Sequence, residues 1–324
     1  RARRTRRFRL TSKTMNTEKA ELFTPAPEWS GRSDGPGPEH ARWHSVINQS
    51  TDSPAPVTLL GFASDEGVLR NGGRQGAAAG PAALRTALGS LAVHHGHALA
   101  DAGTITTQGD DLDGAHDALS NKVRELVEAG TLPIILGGGH ETAFGSHRGL
   151  YRAVGATKII NLDAHFDLRR ANQATSGTPF KQISELTDDF DYTVLGISRP
   201  NNTKVLFDEA ESLGVAITLD EELVNLSPTE CGELAARATE GKDKVHLSID
   251  LDVLLASTAP GVSAPASLGV SYERIRAMAI AIARTGKLAL VDVVELNPTF
   301  DIDNRTAKAA ARLIDDIVTA HIKA

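Results

Sequence analysis

Residues 161–169 read NLDAHFDLR, and a short apolar lead-in, KII, runs straight into them. Asp163, His165 and Asp167 are spaced two apart at the end of what reads as a buried strand. A carboxylate there is expensive unless something compensates its charge. Three further polar clusters follow apolar runs in the same way. LPIIL leads into GGGHE, with His140; VHLSI leads into Asp250, Leu251 and Asp252; LVDVV leads into Glu295. If these runs are strands of one parallel sheet, all four clusters fall at its carboxyl edge, where open α/β sheets place their sites.

A strand rises about 3.3 Å per residue, so Asp163 and Asp167 would stand roughly 13 Å apart on a continuous strand. To share a centre, the chain must leave the strand after Asp163 and turn. The same holds for Asp250 and Asp252. Two His and four Asp are too many ligands for a closed tetrahedral zinc site, and no thiolate is among them. Carboxylates with a little imidazole suit a hard divalent ion such as manganese. With bridging carboxylates, six residues serve two ions about 3.5–4 Å apart. The charge of four Asp then balances that of two divalent ions. A metal can bring a bound water's pKa from about 15.7 to about 7, which makes hydroxide available to attack an electron-poor carbon. His140, Asp163, His165, Asp167, Asp250 and Asp252 are therefore the candidate metal ligands. Singly the motifs are weak. D-x-H-x-D is common on solvated loops, Asp252 could cap a helix, and GGGHE could be only a tight turn. No Lys-Ser/Thr follows GGG, so it fits no phosphate-binding loop. The force lies in the conjunction of three strand-end clusters in one chain.

The elements that must position these residues alternate. VTLLGFA, LPIILGG, KIINLDA, YTVLGIS, VAITLD, KVHLSIDLD and LALVDVVEL are short apolar runs with β-branched content. Between them lie helical patterns: PAALRTALGSLAVH, AHDALSNKVRELVEAG, NTKVLFDEAESLG, SPTECGELAARATEG, SYERIRAMAIAIARTG and RTAKAAARLIDDIVTAHI, several ending in Gly. Strands apolar throughout belong to a parallel sheet covered on both faces. The expectation is a three-layer α/β/α fold with a doubly wound, mainly parallel sheet. Its single catalytic domain would span 57–324, after an extended segment rich in Pro, Gly and Ser at 15–56.

The chain has 324 residues, 41% of them apolar, enough for a sizeable core. Residues 1–14 carry six Arg and one Lys, and Met15 follows. Such a stretch could bind nucleic acid or act as a transit peptide. The reading adopted is a non-native or mis-assigned basic extension. Without its seven cations the net charge of −7 becomes −14, which argues against a nucleic-acid partner. No apolar run reaches about 18 residues, so no membrane span is expected. The single cysteine, Cys231, permits no internal disulfide, and a reducing, cytoplasmic setting with an inert thiol is expected.

GGGHE, DAHFD and SIDLD, in that order and separation, resemble the signature of the ureohydrolases: arginases, agmatinases and formimidoylglutamases. The likeness runs from about Gly61 to the C-terminal helix. It implies an arginase-like fold and two manganese ions per subunit. His140, Asp163, Asp167 and Asp250 would hold one ion; Asp163, His165, Asp250 and Asp252 would hold the other, with Asp163 and Asp250 bridging. A glutamate in a D-x-x-E-x-N-P segment grips the amidine or guanidine in that family, and DVVELNP makes it Glu295 here. Glu295, Asp163 and Asp250 are then the catalytic candidates. GFASDEGVLRNGGRQGAAAGP (61–81), SGTPF (176–180) and VDVVELNPTFDIDNRTAKAAARL (291–313) are most similar to the formimidoylglutamase branch. That branch implies hydrolysis of N-formimino-L-glutamate to glutamate and formamide by a metal-bridging hydroxide, in histidine breakdown, by a homo-oligomer. A substrate with two carboxylates needs cations. Arg169 stands where arginases have an asparagine, and Arg70, Arg74 and Arg199 are candidates for the second carboxylate. The chain departs from arginases and agmatinases in one respect. No His occurs from 166 to 245, so their proton-shuttling imidazole is missing, with Ser176 or Phe180 in its place. His147, about two helical turns past His140, is expected to face away from the metals. The alternatives are another ureohydrolase, such as a guanidinobutyrase, agmatinase or arginase, and an inactive metal-binding scaffold.

Overall fold

The computed structural model describes residues 22–49 and 55–324. The basic stretch 1–14 lies outside the described residues, as do 15–21 and 50–54. The strands are β1 (Phe23–Thr24), β2 (Ile47–Asn48), β3 (Val57–Ala63), β4 (Leu99–Thr106), β5 (Leu132–Leu136), β6 (Lys158–Leu162), β7 (Asp191–Ile197), β8 (Ala216–Leu219), β9 (Val245–Asp250) and β10 (Leu288–Val294). They form one sheet in the order β1-β4-β3-β5-β10-β9-β6-β7-β8, with β2 also paired to β4. β1 runs antiparallel to β4. The other pairings are parallel.

Alternation along the buried strands sends neighbours to opposite faces. Leu59, Ile134 and Ile160 join a core with Leu84, Leu88, Ala235, Ile275 and Leu313. Leu60 and Ile135 turn the other way, onto Leu112, Leu119 and Leu150. The helices Gly80–Gly89, Arg305–Ile322, Tyr272–Ala283 and Pro228–Arg237 pack in series on the first face. Leu112–Glu128 and Thr142–Val154 pack together on the second. The expected three-layer, mainly parallel architecture is the one observed.

Two of the longer elements escape the sequence patterns. β4 reads LADAGTIT, small residues around a carboxylate, so it lacks the apolar run that marks the other strands. Its Asp101 is fully buried because Arg85 meets it at 2.8 and 2.9 Å and Trp29 Nε1 donates to it at 2.9 Å. The helix Thr142–Val154 contains two glycines, a serine, a histidine and two arginines, which dilute its apolar stripe. Part of the segment expected to be extended is docked instead. Trp43 in the short helix Trp43–Val46 is fully buried and donates to Asp315 Oδ1 at 2.8 Å.

β5, β10, β9 and β6 are consecutive in the sheet. They are the four strands whose ends carry the polar clusters, so the sheet order itself brings the clusters together.

Candidate metal centre

β6 ends at Leu162, and Asp163 begins the loop. Asp167 then takes a left-handed backbone, φ 50°, which folds the loop back on itself. That turn gathers the residues a straight strand would separate. Ligand atoms of His140, Asp163, Asp167 and Asp250 lie within 4.8 Å of one another, and so do those of Asp163, His165 and Asp252. All six candidate ligands are thus brought together. Asp163 belongs to both groups. Its Oδ2 stands 3.1 Å from His140 Nδ1, and its Oδ1 stands 3.6 Å from His165 Nδ1. Asp250 joins the first group alone: its Oδ2 is 3.1 Å from His140 Nδ1, while its Oδ1 accepts from Asp252 N at 2.8 Å.

His140 Nδ1 faces three carboxylate oxygens, of Asp163, Asp167 and Asp250, at 3.1, 2.9 and 3.1 Å. Its other ring nitrogen is already paired with Ser248 Oγ at 2.9 Å. Without a cation, the imidazole must carry a proton on Nδ1 to avoid turning a lone pair on the carboxylates, and their charge favours a second proton on the ring. Burial opposes that proton, yet Asp163, Asp167 and Asp250 outweigh it and hold the His140 pKa well above its usual value. The pKa of His165 is likewise raised, against its burial, chiefly by Asp252. Burial and the charges of Asp252 and Asp163 push the Asp250 carboxyl well up, and burial with Asp163 raises that of Asp167. Burial also disfavours ionised Asp163, but His140 and His165 prevail and hold its pKa low. Three acids whose protonation is this divided lack positive charge. Divalent cations among these imidazole and carboxylate atoms would supply it, and a thiol-free donor set suits hard ions.

A second layer holds the ligands. Asn161 Nδ2 donates to Asp163 Oδ2 at 2.9 Å and to Tyr192 Oη at 3.0 Å. Phe180, fully buried, meets the His140 ring edge-on at 5.3 Å and stacks on Tyr192. Asn202 reaches across to the ligand loop. Its amide donates to Ala164 O and Ser198 O at 2.9 Å, and its Oδ1 accepts from Phe166 N at 3.2 Å. His147 is buried against His246, ring nitrogens 3.1 Å apart, outside both ligand groups. Sequence reading missed Asn161, Ser248 and Asn202. Ser248 and Asn161 carried a signal in their alternation with the ligand positions; Asn202 carried none.

GGGHE is a close approach of backbone to backbone. A Cβ at Gly138 would lie 1.8 Å from Ser64 O, so only glycine fits. Gly138 O in turn accepts from Glu295 N at 2.7 Å. Glu295 has φ 68°, a second left-handed residue in the site. Its Oε1 accepts from His140 N at 2.8 Å. Burial, then the neighbouring Glu141, push the Glu295 carboxyl up to about 8.

A cavity of about 350 Å³ opens over the two groups, lined by His140, His165, Asp167, Asp250, Asp252 and Glu295. Asn71, Arg74, Arg169, Ser176 and Asn202 also line it. Arg169 makes no side-chain hydrogen bond or ion pair among the described residues, and it also lines the adjoining cleft. Arg74 is fixed. It donates to Ser263 O at 2.9 Å and Val262 O at 2.6 Å, and lies 3.8 Å over the Phe300 ring. Arg70 lines the adjoining cleft and is paired with Glu66 at 2.9 Å. Arg199 is exposed, lines neither space, and meets Glu221 at 3.4 Å. Cys231 is free and buried. No helix among the described residues is long and apolar enough to cross a membrane.

Fold and site together define a three-layer α/β protein with a His–Asp metal centre at the carboxyl edge of its sheet. The model of the arginase family matches residues 55–319, and the chain belongs to that family. It is 50% identical over 301 residues to a formimidoylglutamase of Corynebacterium efficiens, covering 91% of this chain and 96% of that one. A formimidoylglutamase of Rhodococcus opacus is 47% identical over 312 residues, covering 93% and 98%. The solved structure of Trypanosoma cruzi formiminoglutamase with Mn²⁺ is similar in fold, with a TM-score of 0.81 and 29% identity, covering 87% of this chain and 98% of that one.

Proposed function

We propose that the chain hydrolyses N-formimino-L-glutamate to L-glutamate and formamide. It is a hydrolase of amidine C–N bonds, as its formimidoylglutamase relatives are named over nine-tenths of its length. The observation that carries the chemistry is Asp163, whose two oxygens divide between two His–Asp groups beside Glu295. Two manganese ions per subunit, one held by His140, Asp163, Asp167 and Asp250 and the other by Asp163, His165 and Asp252, would supply a water acidic enough to ionise at neutral pH.

The rest falls to the chain's own side chains. Glu295, held on His140 N and lining the cavity, would be ionised once cations in the two groups offset its burial and acidic neighbours, and takes the N–H groups of the amidine in charge-assisted hydrogen bonds. Arg169, whose guanidinium has no partner among the described residues, takes one substrate carboxylate, and Arg74, already fixed in direction, takes the other. Arg70 and Arg199 support the surrounding walls through Glu66 and Glu221. The formimino carbon gains the water oxygen, its bond to the glutamate nitrogen breaks, and that nitrogen takes a proton. Two arginines lining the cavity favour a substrate with two carboxylates over guanidinobutyrate, which has one, and agmatine, which has none. Purified, manganese-loaded protein should release glutamate and formamide. No glutamate above a no-enzyme control, or faster turnover of agmatine, guanidinobutyrate or arginine, overturns the reading.

A further inference from the structure

Glu141 follows the ligand His140, is fully buried, and lies outside both ligand groups and the cavity lining. Its Oε1 accepts from Ser64 Oγ at 3.1 Å and from Gly67 N at 3.0 Å. Gly67 passes the contact on: its carbonyl accepts from Ser176 N at 3.0 Å. Asn71 then donates to Ser176 Oγ at 3.2 Å. Asn71 and Ser176 line the substrate cavity, and Arg74 follows Asn71 in the same segment. The fit is close. A Cβ at Gly67 would lie 2.5 Å from Glu141 Cδ, and one at Gly139 would lie 2.1 Å from Glu141 Oε2. The main chain of Glu141 is itself held, since its carbonyl pairs with His116 Nε2 at 2.8 Å. Glu141 Oε2 is buried without a hydrogen-bond partner among the described residues. An unpaired buried oxygen is costly, and an apolar side chain would avoid that cost. What the carboxylate supplies is the other oxygen, on which two donors of the 64–76 segment hang.

We infer that Glu141 is a positioning residue for substrate binding. It ties the 64–76 segment, and through Gly67 the loop around Ser176, to the loop that carries His140. The distance between the metal centre and the carboxylate-binding Arg74 is thereby set from beneath the cavity. This rests on the substrate reading above, since Arg74 is given a substrate carboxylate there.

The test compares Glu141→Ala, Glu141→Gln and Ser64→Ala with the parent, by hydrogen exchange, metal content and steady-state kinetics. In Glu141→Ala, the amides of Gly67 and Ser176 should exchange at least ~10-fold faster, and KM for N-formimino-L-glutamate should rise ~10-fold or more with kcat within ~3-fold. Metal content should match the parent. Glu141→Gln keeps an oxygen for Ser64 and Gly67 and should restore both values. Ser64→Ala removes one donor without opening a hole beside His140, and should shift exchange and KM the same way by less. The inference is overturned if exchange at both amides is unchanged, or if kcat falls with KM constant. Metal loss in Glu141→Ala with exchange at Gly67 unaltered also overturns it. If Glu141→Ala does not fold, the Gln and Ser64 variants carry the decision. If the parent does not turn over the substrate, the activity reading fails, and the exchange comparison still decides whether Glu141 anchors the segment.

Discussion

Asn202→Ala is the sharpest probe of how the ligand loop is held. The side chain makes three hydrogen bonds, and their loss is unequal. Ala164 O keeps Ser198 N at 3.0 Å, and Ser198 O keeps Asn201 N at 3.1 Å. Each of these carbonyls therefore loses only a net hydrogen bond, about 0.5–1.5 kcal/mol. Phe166 N has Asn202 Oδ1 as its partner and is buried, so it is stranded, at about 1–3 kcal/mol. Asn202 lines the cavity, and water can follow the deletion, which places the total loss at about 2–4 kcal/mol. Phe166 lies between the ligands His165 and Asp167, so the damage falls on the metal loop. Metal affinity should drop about 10- to 100-fold, as for other residues that orient ligands. Urea unfolding of metal-free protein reads the first effect, and calorimetric titration with Mn²⁺ the second. Asn202→Asp keeps the acceptor for Phe166 N but turns an oxygen on two carbonyls, and should do no better than Ala. An Asn202→Ala protein with the parent's urea midpoint and metal affinity would refute this account.

Other perturbations separate the roles assigned to the site. Asp163→Asn should abolish binding of both ions by elemental analysis, because Asp163 sits in both groups, whereas Asp167→Asn should leave about one ion per chain. Glu295→Gln keeps an oxygen for His140 N but loses the charge facing the amidine; kcat/KM should fall on the order of 30- to 150-fold, with metal content unchanged. Arg169→Met should raise KM about 10- to 100-fold, while Arg199→Met, outside the cavity, should leave KM within about 2-fold.

Much of the site was legible because its marks are local. Asp163, His165, Asp167, Asp250, Asp252 and His140 each follow an apolar run, and run and ligand are neighbours in the chain. The turn after Asp163 was also legible, as a necessity, since a straight strand could not deliver Asp163 and Asp167 to one place. Its realisation was not. It uses a left-handed Asp167, and Glu295 shares that backbone region, which costs of order 1–3 kcal/mol at such a residue and is recovered by what the turn holds. Arg70 and Arg199 show the limit from the other side. A guanidinium reads the same in sequence whether it faces a substrate or a neighbouring carboxylate, and these two face Glu66 and Glu221.

Sequence alone determined the layered α/β plan and marked the candidate donor set and the edge on which it lies, because periodicity and strand-end chemistry are properties of a few consecutive residues. Tertiary structure decided that β10 lies between β5 and β9, bringing Glu295 beside His140 from 155 positions away. It also decided that Ser248, Asn161, Asn202 and Glu141 hold the ligands and walls. The hydrogen bonds of Ser248, Asn202 and Glu141 span 108, 36 and 74 positions. At such separations the partner is chosen by how the strands pair and the helices pack, and no spacing in the chain records that choice.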